Sequence, residues 1–138
     1  MSVGAGDGNP DEIELRLGAE LTNLPIIRSL TSSIAMRADF DLDAIADLKL
    51  AVDEACSTLI TRAAPDATLR CAFTVSKDEI RFTASIRSAS DAKPSSDSFG
   101  WRVLTTLADH TNCWVEQNGD GQHLVHIELA KRRADGTA

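Results

Sequence analysis

The stretch LKLAVDEACSTLI, from Leu48 to Ile60, carries apolar residues at the three- and four-residue spacing of an amphipathic α-helix. An aspartate at residue 41 or 43 can cap the start of this helix, and the proline at residue 65 limits its end to about residue 63. One narrow arc of the helix is apolar and should face the core; it comprises Ile45, Leu48, Val52, Ala55, Cys56, Leu59 and Ala63. The segment therefore predicts a central helix packed on another layer of a folded domain.

Three polar residues, Asp47, Glu54 and Thr58, should lie on the side of this helix opposite the apolar arc. Glu54 and Thr58 are one turn apart, so their side chains point the same way. A carboxylate and a hydroxyl at that spacing can orient a water molecule or hold a hydrated magnesium ion, which prefers few protein oxygens. An ordinary solvated helix face has the same spacing, so the residues alone leave both interpretations open.

The flanking sequence predicts strands and helices on both sides of the central helix. A first helix follows Thr22 and Asn23, with a proline at residue 25 in its first turn, and a third helix turns Leu104 and Leu107 inward. Apolar and polar residues alternate in five segments that should form strands: 13–17, 69–75, 80–86, 111–117 and 124–129. The order β-α-α-β-β-loop-α-β-β predicts an α+β fold with three helices on one face of a mixed β-sheet.

The domain should extend from residue 12 to residue 130. Residues 1–11 and 131–138 are small, polar and glycine-containing, so we expect a flexible N-terminal segment and a flexible tail. In that tail, the basic cluster Lys131-Arg132-Arg133 should be a solubilising group.

Composition narrows the classes of function. The formal net charge of −7 argues against direct nucleic-acid binding, which requires clustered Lys and Arg. No apolar run reaches the length of a membrane span, and residues 1–11 lack the basic and apolar regions of a signal peptide, so we expect a cytoplasmic protein. The three cysteines lack zinc-site spacing, and Cys56 and Cys71 should be core thiols.

A serine-rich loop from Ser88 to Ser98 runs into the sequence Ser98-Phe-Gly-Trp-Arg102. A flexible loop that ends in Gly100 at a helix N-terminus can offer free backbone N–H groups to phosphate. Capping of the helix by Asp97 or Ser98 explains the same residues without any ligand.

Together, these segments resemble the nucleotide site of the GHKL (Bergerat-type) ATPases. The stretch Leu50-Ala-Val-Asp-Glu-Ala-Cys-Ser-Thr58 is similar to their N-box, and Ser98-Phe-Gly-Trp-Arg102 is similar to the end of their lid. The element order also matches, so the resemblance covers residues 12–130. The chain looks most like bacterial anti-sigma factors of the serine-kinase type, in particular their actinobacterial branch, and the resemblance implies a two-layer Bergerat sandwich.

The resemblance implies a protein that sequesters an alternative sigma factor of the stress-response type, similar to sigma-F or sigma-B. Release would come from an anti-anti-sigma protein of the STAS type. Members of the family commonly form homodimers, so the resemblance implies a homodimer. It also implies that the sigma factor binds near the first helix, including Arg28. The alternative function on the same fold is an active ATP-dependent protein serine kinase that phosphorylates the anti-anti-sigma protein.

The resemblance also implies a role for each site residue. Glu54 stands at the position of the family's catalytic glutamate and would act as general base. Thr58 replaces the asparagine that holds magnesium, and Ser98 replaces the first glycine of the lid motif. Gly100 matches the second glycine. Arg102 lies close enough to the lid to neutralise phosphate charge, and it can equally remain a solvated surface residue.

The adenine-recognition element differs most from the family. The family's Asp-x-Gly motif should follow the strand that ends at Ile86, but residues 87–90 are Arg-Ser-Ala-Ser, and no acid appears before Asp91. Arg87 can neutralise phosphate or remain a surface residue. Three of four nucleotide elements therefore differ, which predicts weak binding of ATP and magnesium, GTP bound about as well as ATP, and slow or absent phosphotransfer.

Overall fold

A computed structural model of the chain describes residues 1–6, 9–91, 93–95, 97–118 and 121–134. A single 3-10 turn, Leu21–Asn23, precedes the first helix. The other elements, in chain order, are β1 (Ser2–Gly6), β2 (Asn9–Gly18), α1 (Leu24–Arg37), α2 (Leu42–Ile60), β3 (Thr68–Val75), β4 (Glu79–Ser88), α3 (Phe99–Leu107), β5 (His110–Asn118) and β6 (Gln122–Arg132).

The six strands form one sheet in the order β1-β2-β3-β4-β6-β5. Every pair of neighbouring strands is antiparallel, so the prediction of a mixed sheet is wrong for the described part of the chain. The reason lies in the connection through α3. That connection returns β5 in the same direction as β4, but β6 inserts between the two strands and pairs with both of them in the opposite direction.

The three helices form the second layer, which confirms the α+β architecture. Helix α2 packs on β3, β4 and β6, while α1 and α3 pack on its two flanks. Alternate residues of the strands complete one core, in which Phe73 and Phe82 are fully buried with ring centroids 4.8 Å apart. Cys56 and Cys71 are also fully buried, with their sulfur atoms 3.9 Å apart, so both are core thiols as predicted.

The central helix forms for the predicted reasons, although it is shorter. The Asp41 carboxylate accepts a hydrogen bond of 2.7 Å from the Ala44 N–H, which caps the first turn. The predicted apolar arc is buried as far as Leu59, but the helix ends at Ile60, and Ala63 lies beyond it. Among the described residues, no helix combines the length and the apolar character that crossing a membrane requires.

Both ends of the chain extend the sheet beyond the predicted domain limits. At the N-terminus, Ser2–Gly6 pairs with the strand Asn9–Gly18, so the predicted start at residue 12 is too late. The five small residues of β1 lack the apolar alternation that indicates a strand, and they pair because β2 presents its backbone groups at the sheet edge.

At the C-terminus, the prediction of a solubilising basic cluster is wrong. Lys131 and Arg132 belong to β6, and the Arg133 guanidinium lies 4.6 Å from the centroid of the Phe40 ring. Arg133 also donates hydrogen bonds to the backbone oxygens of Lys77 and Asp39, at 3.1 and 3.2 Å. These contacts join the α1–α2 connection to the β3–β4 turn. Residues 135–138 of the predicted tail lie outside the described residues.

Candidate functional site

The site is centred on one flank of α2. Thr58 Oγ1 donates a hydrogen bond of 3.1 Å to Glu54 Oε2, so the two side chains meet as the one-turn spacing predicts. Both residues are half-buried, and they lie on the flank of α2 that faces α3 instead of directly opposite the core.

Asp47 does not join this pair, which corrects the prediction that it lies together with Glu54 and Thr58. Its carboxylate accepts a hydrogen bond of 3.2 Å from Lys131 Nζ, which also donates to the Leu107 carbonyl at 3.0 Å. Seven residues of helix separate Asp47 from Glu54, or about 10 Å along the axis. Asp47 therefore anchors the end of β6 and of α3.

Gly100 lies directly against Glu54. A Cβ atom built on Gly100 would be only 2.6 Å from Glu54 Oε2, which is closer than real Cβ atoms come to an oxygen. The first turn of α3 can approach the carboxylate this closely only because residue 100 has no side chain. The structure thus brings together Glu54, Thr58 and Gly100, three of the residues singled out from the sequence.

The Ser98 hydroxyl has a capping role. Ser98 Oγ accepts a hydrogen bond of 3.1 Å from the Trp101 N–H, and the Ser98 carbonyl accepts one of 3.2 Å from the Arg102 N–H. Between them, the N–H groups of Phe99 and Gly100 are at helix positions that have no acceptor within the helix. Those two donors sit beside Glu54, where a phosphate oxygen could accept from them.

Arg102 and Arg87 are placed differently. The Arg102 side chain is exposed on α3 and forms no hydrogen bond or ion pair with the described residues. Arg87 alternates with the buried Ile86 and is therefore on the sheet face away from the helices, where it donates to the Pro65 carbonyl at 3.2 Å. Arg102 is exposed about 200° around α3 from Gly100, whereas Arg87 stabilises the loop between α2 and β3.

The region expected to recognise adenine contains no carboxylate. The Ser88 side chain is buried, and its hydroxyl accepts a hydrogen bond of 3.1 Å from the Ser90 N–H. The first acid after the strand, Asp91, is exposed. A site built from these residues fits the phosphate end of a nucleotide better than it fits an adenine amino group.

Arg62 is half-buried in the loop after α2, and its charge acts on the Cys113 thiol of β5. Burial raises the pKa of the Cys113 thiol, and the positive charges of Lys93 and Arg62 act on it in the opposite direction.

The donor set fits a hydrated magnesium ion only through few direct contacts. No group of three or more Cys, His, Asp or Glu in the described part of the chain could hold a metal. Glu54 and Thr58 offer one carboxylate and one hydroxyl, and magnesium bound to phosphates commonly keeps several waters beside so few protein ligands. These residues could hold such an ion beside nucleotide phosphates.

Comparison with known proteins identifies the family of the chain. No protein-family model matches the chain. The chain is 46% identical over 124 residues to the anti-sigma-F factor RsbW of Mycobacterium tuberculosis, in an alignment that covers 88% of this chain and 74% of the relative. This chain belongs to the RsbW family. The chain is also 40% identical over 55 residues to the serine-protein kinase RsbW of Bacillus subtilis. That alignment covers 40% of this chain and 34% of the relative.

Proposed function

We propose that this RsbW-family protein is an anti-sigma factor of the cytoplasm that sequesters an alternative, stress-response sigma factor and is released by a STAS-type anti-anti-sigma protein. The observation that carries the proposal is the 46% identity over 88% of the chain to a relative named as an anti-sigma-F factor. We also propose that the protein is a homodimer, because members of the family commonly form dimers.

The nucleotide site in this proposal is weakened. Thr58 is shorter than an asparagine, and its hydroxyl already bonds to the Glu54 carboxylate. Residues 87–90 contain no carboxylate that could accept a hydrogen bond from an adenine amino group. We therefore expect low affinity for ATP and a similar affinity for GTP, because the remaining contacts involve phosphate and not the base.

A protein serine kinase acting on the anti-anti-sigma protein is the second candidate, and the Glu54 position favours it. Glu54 carries no ion pair with the described residues, and its carboxylate is beside the free N–H groups at the start of α3. It could accept the proton of a partner's serine hydroxyl, while Thr58 holds the carboxylate in place. Bound nucleotide with magnesium would supply the phosphoryl group.

The decisive experiment is co-purification of the chain with its partners from the native cytoplasm, with and without added nucleotide. We expect a sigma factor to remain bound without nucleotide and to be displaced by an anti-anti-sigma protein. Glu54→Gln should retain sigma binding, because its side chain is outside the core, and should abolish any phosphotransfer. Failure to retain any sigma factor at micromolar concentration would contradict the proposal, and rapid phosphotransfer by the unmodified chain would place the kinase first.

A further inference from the structure

A groove of about 640 Å³ lies between α1 and the side of the sheet formed by β1, β2 and β3. Helix α1 packs mainly on α2, so it does not close over these strands. Val3, Ile13 and Val75 form the sheet side of the groove. Each of them pairs across the sheet with a fully buried residue, which places its side chain on the helix side. Val3 is nevertheless 58% exposed, so the groove is open at this strand.

The side of the groove formed by α1 is also apolar. Leu30, Ile34 and Ala38 recur there at four-residue spacing, which puts them on one helix face. Ile34 is buried and the other two are half-buried, so this apolar surface is recessed and does not protrude. The lining part of the helix, from Leu30 to Arg37, is about 10 Å long. A recess of this volume and lining is typical of small-molecule sites, which combine apolar walls with a few placed polar groups.

Two polar side chains of α1 complete the lining. Ser33 and Arg37 are one helical turn apart, so their side chains are neighbours at the rim of the groove. Both are exposed, and neither side chain forms a hydrogen bond or ion pair with the residues that the structure describes. A hydroxyl and a guanidinium together offer the donors that a carboxylate accepts, and the charge of Arg37 favours an anion.

We propose that this recess, the α1–β1 groove, binds an aliphatic carboxylate of medium chain length from solution. The chain lies between Ile13 and Leu30, and the carboxylate accepts hydrogen bonds from Ser33 and Arg37. Burial of methylene groups against both apolar sides supplies most of the affinity, and the polar pair fixes the direction of the chain. A neutral ligand leaves the Arg37 charge unused, and an inorganic anion leaves the apolar sides exposed, so an amphiphilic anion is the class of ligand that uses the whole lining.

Isothermal titration calorimetry of the full chain with hexanoate, octanoate and decanoate tests this proposal. Affinity should rise about tenfold for every two methylene groups, as the chain fills the apolar part of the groove. Decyltrimethylammonium has an alkyl chain of similar length on a cationic head, and it should bind about tenfold more weakly than decanoate because Arg37 repels it.

Three variants localise the binding. Arg37→Gln should weaken decanoate binding by about tenfold, because it removes a charge-assisted hydrogen bond, and Arg37→Lys should restore part of the loss. Val3→Asp should also weaken binding, since it puts a carboxylate into the groove, and the fold should tolerate it because Val3 is exposed. Arg102→Gln is the matched control: Arg102 is an exposed arginine with no ion pair among the described residues, and it lies on α3, on the other flank of α2. The control should change the affinity by less than about twofold.

The absence of decanoate binding, equal binding by Arg37→Gln and the unmodified chain, or equal binding of the two head groups would each overturn the proposal. An equal loss in the Arg102 control would overturn it as well. A second copy of the chain is the competing occupant, and sedimentation velocity distinguishes it. If Val3→Asp converts a dimer into a monomer, the groove belongs to a contact between copies and the proposal is wrong. Sigma binding is measured in a separate experiment, so the proposed function can stand when the groove proposal fails.

Discussion

Substitution of Gly100 by alanine tests the contact between α3 and the Glu54 carboxylate. The new methyl group would lie 2.6 Å from Glu54 Oε2 and 3.2 Å from the carboxyl carbon. An ordinary contact requires the carboxylate to withdraw by about 0.8–1 Å. Glu54 Oε2 is also the acceptor of the Thr58 hydroxyl, so the withdrawal should lengthen or break that hydrogen bond.

The magnitude follows from two opposing effects. Loss of a hydrogen bond to a half-buried carboxylate costs about 1–2 kcal/mol, whereas alanine in place of glycine in a helix stabilises by about 0.5–1 kcal/mol. We therefore expect Gly100→Ala to lower the free energy of unfolding by about 0.5–1 kcal/mol, or roughly 2–3 °C in Tm for a domain of this size. In a Glu54→Ala background the same substitution should be stabilising, since the methyl group meets no carboxylate.

The assay is a double-mutant cycle of Gly100→Ala and Glu54→Ala, measured by urea denaturation of all four proteins. We expect a coupling free energy of about 1–2 kcal/mol with a change of sign between the two backgrounds. Gly4→Ala is a suitable control, because a Cβ there meets nothing within 4 Å. Equal effects of Gly100→Ala in both backgrounds would refute the argument that this glycine is needed for the approach to Glu54.

Three further predictions concern other parts of the chain. Arg133→Ala should lower the free energy of unfolding by about 1–2 kcal/mol, since it removes the contact with the Phe40 ring and two hydrogen bonds. In the same denaturation assay, the control Arg132→Ala should lower it by less than about 0.5 kcal/mol. Burial lowers the pKa of His126 although Glu116 acts in the opposite direction, so the folded state favours the neutral ring. The neutral ring therefore contributes fully to the free energy of unfolding above the unfolded pKa of about 6.5, and this contribution is lost as the pH falls through the lower folded pKa. His126→Gln should reduce the difference in the free energy of unfolding between pH 7.5 and pH 5.5, measured by urea denaturation. Thr58→Asn should strengthen magnesium-dependent nucleotide binding in calorimetry, because its amide oxygen reaches one bond further than the hydroxyl; tight, adenine-specific binding by the unmodified chain would instead contradict the weakened site.

The elements predicted with most success are those whose signal is local. The apolar arc of α2 is visible in one turn after another of the sequence, and burial from Ile45 to Leu59 follows it. The one-turn spacing of Glu54 and Thr58 likewise predicted that their side chains meet. Helical geometry relates residues three and four apart in a fixed way, so these contacts can be derived without knowledge of the rest of the fold.

Contacts between distant segments could not be derived in this way. The partner of Asp47 is Lys131, and Arg133 packs on Phe40, in both cases across most of the chain. His126 stacks on Trp114 and bonds to Ser85, although none of these spacings indicates a cluster. Such pairs depend on which strands become neighbours and in which register.

The sequence by itself determined the family, the order of the helices and of strands β2 to β6, and the polar pair on α2, because each depends on residues close together along the chain. Only the tertiary structure decided that β6 separates β4 from β5, that the C-terminal basic residues anchor two loops, and that the start of α3 touches Glu54. The physical reason is that strand order and helix packing are set by the burial of one shared core, to which residues from the whole chain contribute at once.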